Sequence, residues 1–356
     1  MRPSVRPENS CFHHYLQFSL FTVLQGAGSK RSVVTCGLLF LTKSLLFAVE
    51  PRVPATALAF SPDGTTLLVG GRREIRTYSI ARGEPGATVV CEFPKISAFA
   101  FSPDTHALAV SGGTPGVDGG VVLLTWPEGK VVGHLTNHND QGTAVAFNPA
   151  GTLLASAGAD RLVQVVQWPQ KTPAYRLDGH SGPVLAMAFS PDNALLLTAS
   201  ADRSIKVWDA ATGQLRRSFS HHTDIVHCLA FRPEKQTDGE SSRFQCASGS
   251  QDKTVRIWQP AVGRMVRIVR GHDGPVFAVA YSADSRRLYS AGKEGVVRVI
   301  DADSDQIQHS WKAHDDWIYG LAVSPDGQLL ATGDWNGIVK LWDVRQADPM
   351  LRQEIR

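Results

Sequence analysis

Asp301-Ala302-Asp303-Ser304-Asp305 has the acidic alternation of a calcium loop, which ligates through oxygens at alternate positions. Its sixth position is Gln306, where such a loop needs glycine, and its twelfth is Lys312, where a bidentate glutamate belongs. The run reads as a polar hairpin turn. Two histidine pairs, His13-His14 and His221-His222, offer ring nitrogens but have no cysteine partners at zinc spacing. Gly112-Gly113 and Gly119-Gly120 lie between two apolar runs with no helix to follow, so they cradle no phosphate and read as a lengthened loop. No serine, histidine and aspartate stand out as a nucleophilic set. The sequence therefore names no catalytic residue, no metal ligand and no cofactor.

What it does name is a repeat. Leu196 to Asp209 reads LLTASADRSIKVWD and Gln245 to Trp258 reads QCASGSQDKTVRIW: an apolar run, a small-residue step, an aspartate at a turn, then an alternating strand ending in tryptophan. Before each copy stands an apolar phrase closed by an anchor and a turn such as Ser190-Pro191-Asp192-Asn193. The anchors are Phe60, Phe101, Phe147, Phe189, Phe231, Tyr281 and Val323, spaced by 41, 46, 42, 42, 50 and 42 residues. A period near 40–45 residues with a Trp-Asp step is the signature of a propeller blade. The alternation of Ser204-Ile205-Lys206-Val207-Trp208 is that of a half-buried strand. Pro62-Asp63-Gly64 and Pro325-Asp326-Gly327 supply tight hairpins, proline fixing φ and glycine taking a positive one. One such sheet cannot bury its own apolar faces, whereas seven arranged radially bury them against one another. The expected fold is all-β: a seven-bladed β-propeller of four-stranded antiparallel blades over residues 51–356.

These residues resemble the WD40 family over that whole region. The resemblance implies a structural tetrad of His, Ser/Thr, Asp and Trp, carried by His180, Ser200, Asp202 and Trp208 in the fourth repeat and by His222, Ser250, Asp252 and Trp258 in the fifth. Thr198 and Ser248 compete for the hydroxyl place. The third repeat keeps His138 and Asp160 but has Val166 for tryptophan. The sixth keeps His272 and substitutes Glu294 and Ile300, and is expected to be less firmly stapled for lack of the indole. The seventh keeps His314 and Trp342, with Asn336 at the aspartate position. The first two lack the histidine, with Pro51 and Glu92 at its offset.

The apolar positions of the innermost strand run Val184, Met187, Phe189; Val226, Leu229, Phe231; Val276, Val279, Tyr281; and Ile318, Leu321, Val323. A strand steps by two, so the opening step of three predicts a β-bulge that re-aims one side chain. The resemblance places that side chain on the channel rim, the usual partner-binding face of WD40 proteins. By offset the rim holds the small or aliphatic Thr56, Ser97, Thr143 and Leu185 on the first four repeats, then His227, Phe277 and Tyr319. Ile225, Pro275 and Trp317 stand two residues earlier, and Gln251, Lys293 and Trp335 just before the turn acid. A partner-binding patch on the sixth and seventh blades is thus expected from Phe277, Trp317, Tyr319 and Trp335, with His227 beside it, flanked by the charges of Lys293, Asp315 and Asp316. The competing reading packs these rings internally.

Composition sets limits. Charged residues are 19% and the net charge is +3, so no large basic surface calls for nucleic acid. Five cysteines among 356 residues are no disulfide framework, though Cys228 and Cys246 fall on neighbouring strands as two buried thiols or a pair. The innermost strands, such as Ala98-Phe99-Ala100 and Ala186-Met187-Ala188, carry no metal ligand toward the channel. The expectation is a non-catalytic scaffold for a protein or peptide partner, a monomeric propeller within a complex, with no integral membrane domain. A propeller enzyme using the channel and a structural subunit of an envelope assembly are the alternatives. Residues 1–50 stand apart from the repeats. Lys30-Arg31 precede Val33–Val49, an apolar stretch broken by Lys43, in the order of a secretory signal. Export competes there with a cytoplasmic protein, in which Leu45–Val49 supplies a propeller strand or the segment is disordered. Met350–Ile355 can supply the last outer strand, closing the ring without residues before Pro51.

Overall fold

The computed structural model describes residues 54–233 and 244–355. The expectations placed on residues 1–50, the signal-like segment, the competing strand and His13-His14 among them, lie outside the described residues. The described residues form seven four-stranded sheets, each antiparallel and each built from consecutive strands. They span 58–90, 95–138, 142–178, 184–219, 226–269, 276–312 and 318–355, and are called blades one to seven. All seven predicted anchors are the last residue of a blade's first strand. The turns that follow are set by chemistry. In five blades a serine hydroxyl (Ser61, Ser102, Ser190, Ser282, Ser324) donates to the aspartate two residues on at 2.5 Å and accepts the backbone N–H five residues on.

The core is a set of wedges between blades. The second strand of blade four, Leu195–Ser200, is buried at every position. Leu196 packs toward blade three with Val165 and Trp208, while Leu195, Leu197 and Ala199 pack toward blade five with Val226 and Trp258. Every neighbouring pair of blades shares such a cluster, including the seventh and first, where Leu329, Ala331, Leu341 and Ile355 meet Ala55, Phe60, Leu67 and Val69. Ring closure is therefore made by packing, supported by Ala55 N–H donating to Asp334 O at 3.0 Å and by Gln353 donating to Gly83 O. The closure needs glycine at 333, since a Cβ there would lie 2.5 Å from Ala55 O. Met350–Ile355 is the outer strand of blade seven.

Each intact staple is a relay of donors. The Trp208 indole donates to Thr198 Oγ1 at 2.9 Å, Thr198 meets His180 Nε2 at 2.8 Å, and His180 Nδ1 meets Asp202 at 2.8 Å. Blade five repeats this with Trp258, Ser248, His222 and Asp252. The hydroxyl is thus Thr198 and Ser248, which corrects Ser200 and Ser250. Those two serines instead close the turn, Ser200 donating to Gly182 O and Ser250 to Asp224 O while each accepts the N–H of the turn aspartate. Blade seven needs a second correction. His314 bonds Asp334 at 3.0 Å and Thr332 at 2.7 Å, with Trp342 on Thr332, so the carboxylate is Asp334 and not Asn336. Blade six lacks the indole but gains a cation: buried Arg298 reaches Glu294 at 2.5 Å and His272 at 3.0 Å. Its staple is an ion pair, so the expectation that Glu294 matters less for want of tryptophan overlooks the buried guanidinium it neutralises. Cys228 and Cys246 are free thiols, registered opposite Gly249 and Phe231. Burial pushes the Cys228 thiol up to about 12.

Burial tends to raise the Asp202 and Asp252 carboxyls, but hydrogen bonds from His180 and Ser204, and from His222 and Thr254, outweigh it and hold both well below the usual range. Burial lowers His222 and His272. In both cases the unfolded chain takes up protons that the folded one refuses. The histidine contribution is complete above pH 6.5 and is lost below it, and the carboxylate contribution is complete above pH 3.8 and is lost as pH falls further. Thermal melts should be flat above pH 7, decline below about 6.5 and fall steeply below about 4. A melting temperature that rose between pH 7 and pH 5 would contradict the neutral buried histidines. In a double-mutant cycle, Trp208→Phe should couple to Thr198→Val by about 1–2 kcal/mol and be additive with Ser200→Ala within about 0.5 kcal/mol. Truncation after residue 348 should lower the melting temperature by removing Ile355 from the closing wedge; an unchanged melt would show that another strand closes the ring.

Candidate partner-binding surface

Six of the seven first strands carry the bulge. The ladder skips Ser97, Thr143, Leu185, His227, Phe277 and Tyr319, so each of these side chains leaves the pleat. In blade one the strand is only Leu58–Phe60, and Thr56 lies between Ala55, bonded to Asp334, and Ala57, bonded to Gly70. The small hydroxyls are committed to the ring, within a blade or to its neighbour. Thr143 Oγ1 donates to Ala157 O at 3.0 Å or Val184 O at 2.5 Å, and Gln141 donates to Ser97 Oγ at 2.7 Å. On blades one to three, then, this position serves the ring itself.

Blades five to seven differ. The structure brings His227, Phe277, Tyr319, Trp317 and Trp335 into one unbroken set of ring contacts. Phe277 and Tyr319 stack at 4.5 Å and 9°, and His227 meets the Phe277 edge at 5.0 Å. Trp317 lies 5.9 Å from Phe277 and 6.4 Å from Trp335, and Trp335 lies 5.5 Å from Tyr319. Trp335 is 51% exposed, and the other four are half-buried. The internal-packing reading therefore describes how the rings hold one another, and leaves Trp335 outward.

Polar groups fix this arrangement. His227 Nε2–H donates to Gln251 Oε1 at 3.0 Å, and burial lowers the ring's pKa, keeping it neutral. Asp316 accepts from Trp317 N–H and from the Asn336 amide, both at 2.7 Å, so it ties the Trp317 loop to the Trp335 turn. Asp316 and Asn336 are thus positioning residues for the rings. Asp315 is exposed, as is Lys293, whose Nζ lies 5.1 Å from the Trp317 centroid. Sequence reasoning passed over Asp273, exposed and directly after His272, although His314-Asp315 repeats the same step one blade on.

With the bulges, staples and wedges in view, five segments match the WD40 family (WD domain, G-beta repeat): residues 129–166, 171–209, 213–259, 263–301 and 305–343. The chain belongs to the WD40 family. Each matched segment begins near the outer strand of one blade and ends with the third strand of the next. The first match begins late in blade two, after the two repeats that lack the histidine. Telomerase Cajal body protein 1 of Mus musculus and of Rattus norvegicus is 32% identical to this WD40 chain over 117 residues. The protein of Bos taurus is 32% identical over 115 residues. Each match covers 30% of this chain and 21% of the relative, so the chain matches about a fifth of those proteins' length.

Proposed function

We propose that this WD40 propeller is a non-catalytic scaffold that holds a protein or peptide partner on the aromatic patch of blades five to seven. One observation carries the reading: five rings form one connected set, three of them (His227, Phe277 and Tyr319) turned out of the ladder by bulges and two (Trp317 and Trp335) carried by the adjoining loop and turn, with Trp335 half exposed. Aromatic groups clustered at a rim are the residues that dominate protein interfaces. The equivalent positions on blades one to three are small and already bonded between blades, which concentrates binding on one side of the channel mouth. WD40 propellers are typically interaction scaffolds. The relatives' name attaches them to telomerase and the Cajal body, in keeping with a propeller that works inside a larger complex.

The test is capture of partners by the full chain with and without the rings. Trp317→Ala combined with Tyr319→Ala should abolish capture, while the melting temperature stays within a few degrees because neither ring belongs to a closing wedge. Retained capture by that variant, with loss on Leu185→Ala, would move the surface to blade four.

A further inference from the structure

The rim around the patch carries a charge pattern that describes the partner. Asp273 and Asp315 directly follow the staple histidines His272 and His314, and both are exposed. Neither carboxylate has a hydrogen-bond or ion-pair partner among the described residues. Asp224 and Asp316, half-buried, accept backbone N–H groups at the same mouth. Glu294 is neutralised by Arg298. Farther out, the ammonium groups of Lys312 and Lys340 are held by the Glu294 and Ala313 carbonyls. Against the four aspartates stand the exposed Lys253, in the turn that carries Gln251, and Lys293. The Lys293 stem crosses Gly274, where a Cβ would lie 3.0 Å from the lysine Cβ, and its ammonium settles over Trp317. A cation thus already occupies one ring of this surface. The neighbouring ring, Trp335, is exposed and carries none among the described residues.

Taking the patch to be the partner surface, as proposed above, we infer that it receives an arginine-bearing peptide segment. One guanidinium stacks on Trp335 and pairs with Asp315, and Lys293 is an internal occupant of Trp317 that a second basic side chain displaces. Arginine suits this place better than lysine because its planar, weakly hydrated head can stack on a ring and fork onto a carboxylate together. An acidic segment would meet four carboxylates. Single-stranded RNA could stack on the rings, but its phosphates would meet the same field.

Fluorescence anisotropy on the full chain tests this with labelled nine-residue glycine–alanine peptides carrying two arginines, two lysines, two citrullines or two glutamates, and with oligouridine. The arginine peptide should bind, the citrulline and glutamate peptides about tenfold or more weakly, and the lysine peptide between them. Trp335→Ala and Asp315→Asn, both at exposed positions, should each weaken arginine-peptide binding about tenfold. Lys293→Met should tighten it about two- to fivefold, the equivalent of one exposed cation–π contact. Equal or better binding of the glutamate peptide, the citrulline peptide or oligouridine overturns the arginine assignment, as does weaker binding by Lys293→Met or no binding by any probe. If a neutral or acidic peptide binds and Trp335→Ala abolishes it, the patch survives and only its charge preference falls. Arginine-peptide binding that ignores both Trp335→Ala and the Trp317/Tyr319 pair would sink both readings.

Discussion

The second strand of each blade is buried on both faces, and the rest of the molecule follows from that. Along Leu195–Ser200, Leu196 serves blade three, Leu195, Leu197 and Ala199 serve blade five, and Thr198 serves the staple of its own blade. A lone blade would expose both faces, so its apolar surface is buried only when two neighbours are present. The ring is the smallest arrangement that gives every blade two neighbours. That requirement explains why the seventh and first blades approach closely enough to demand glycine at 333. It also explains why the outer strands, which cover nothing beyond themselves, read as mostly exposed.

Much of this was legible because it is periodic. The seven anchors, the Ser-Pro-Asp turns and the three-then-two step recur, and each recurrence has one physical cause: a strand end, a hydroxyl-capped turn, a bulge. Three staple residues, the hydroxyls of blades four and five and the carboxylate of blade seven, differ from the expectation for a common reason. Thr198 and Ser200 lie two residues apart on one strand and so share a face, as Asp334 and Asn336 share a blade edge. Pattern alone cannot say which of two same-face residues reaches the histidine, because that depends on distance along the strand. The register decides it: Thr198 stands opposite Lys206, within reach of the Trp208 indole, whereas Ser200 stands opposite Val184 at the turn. Arg298 escaped notice because a cation replacing an indole preserves no residue type. Only its buried contact with Glu294 reveals the exchange.

The staples and the patch are parts of one structure. His314, held by Asp334 and Thr332, begins the loop that carries Asp315, Asp316 and Trp317. Asp316 then ties that loop to Asn336, next to Trp335. A blade whose histidine is fixed at both ring nitrogens delivers its rim loop in one geometry. Blades five, six and seven all have such a histidine, whereas blades one and two have none. The backbone is close to sevenfold symmetric, but firm loops bearing large rings occur on one side only.

That asymmetry bears on how a partner could be held tightly. A surface of separate, mobile aromatic side chains would lose rotamer freedom on binding, and that cost would offset much of the contact energy. Here Phe277 and Tyr319 are stacked face to face, His227 is fixed through Gln251, and the Trp317 backbone is held by Asp316. Rings have few torsions to begin with, and these are already ordered by one another. The bulges turn His227, Phe277 and Tyr319 out at the mouth, ring contacts fix them, and the exposed Trp335 leaves a face to be covered. Binding there would order little that the fold has not ordered already.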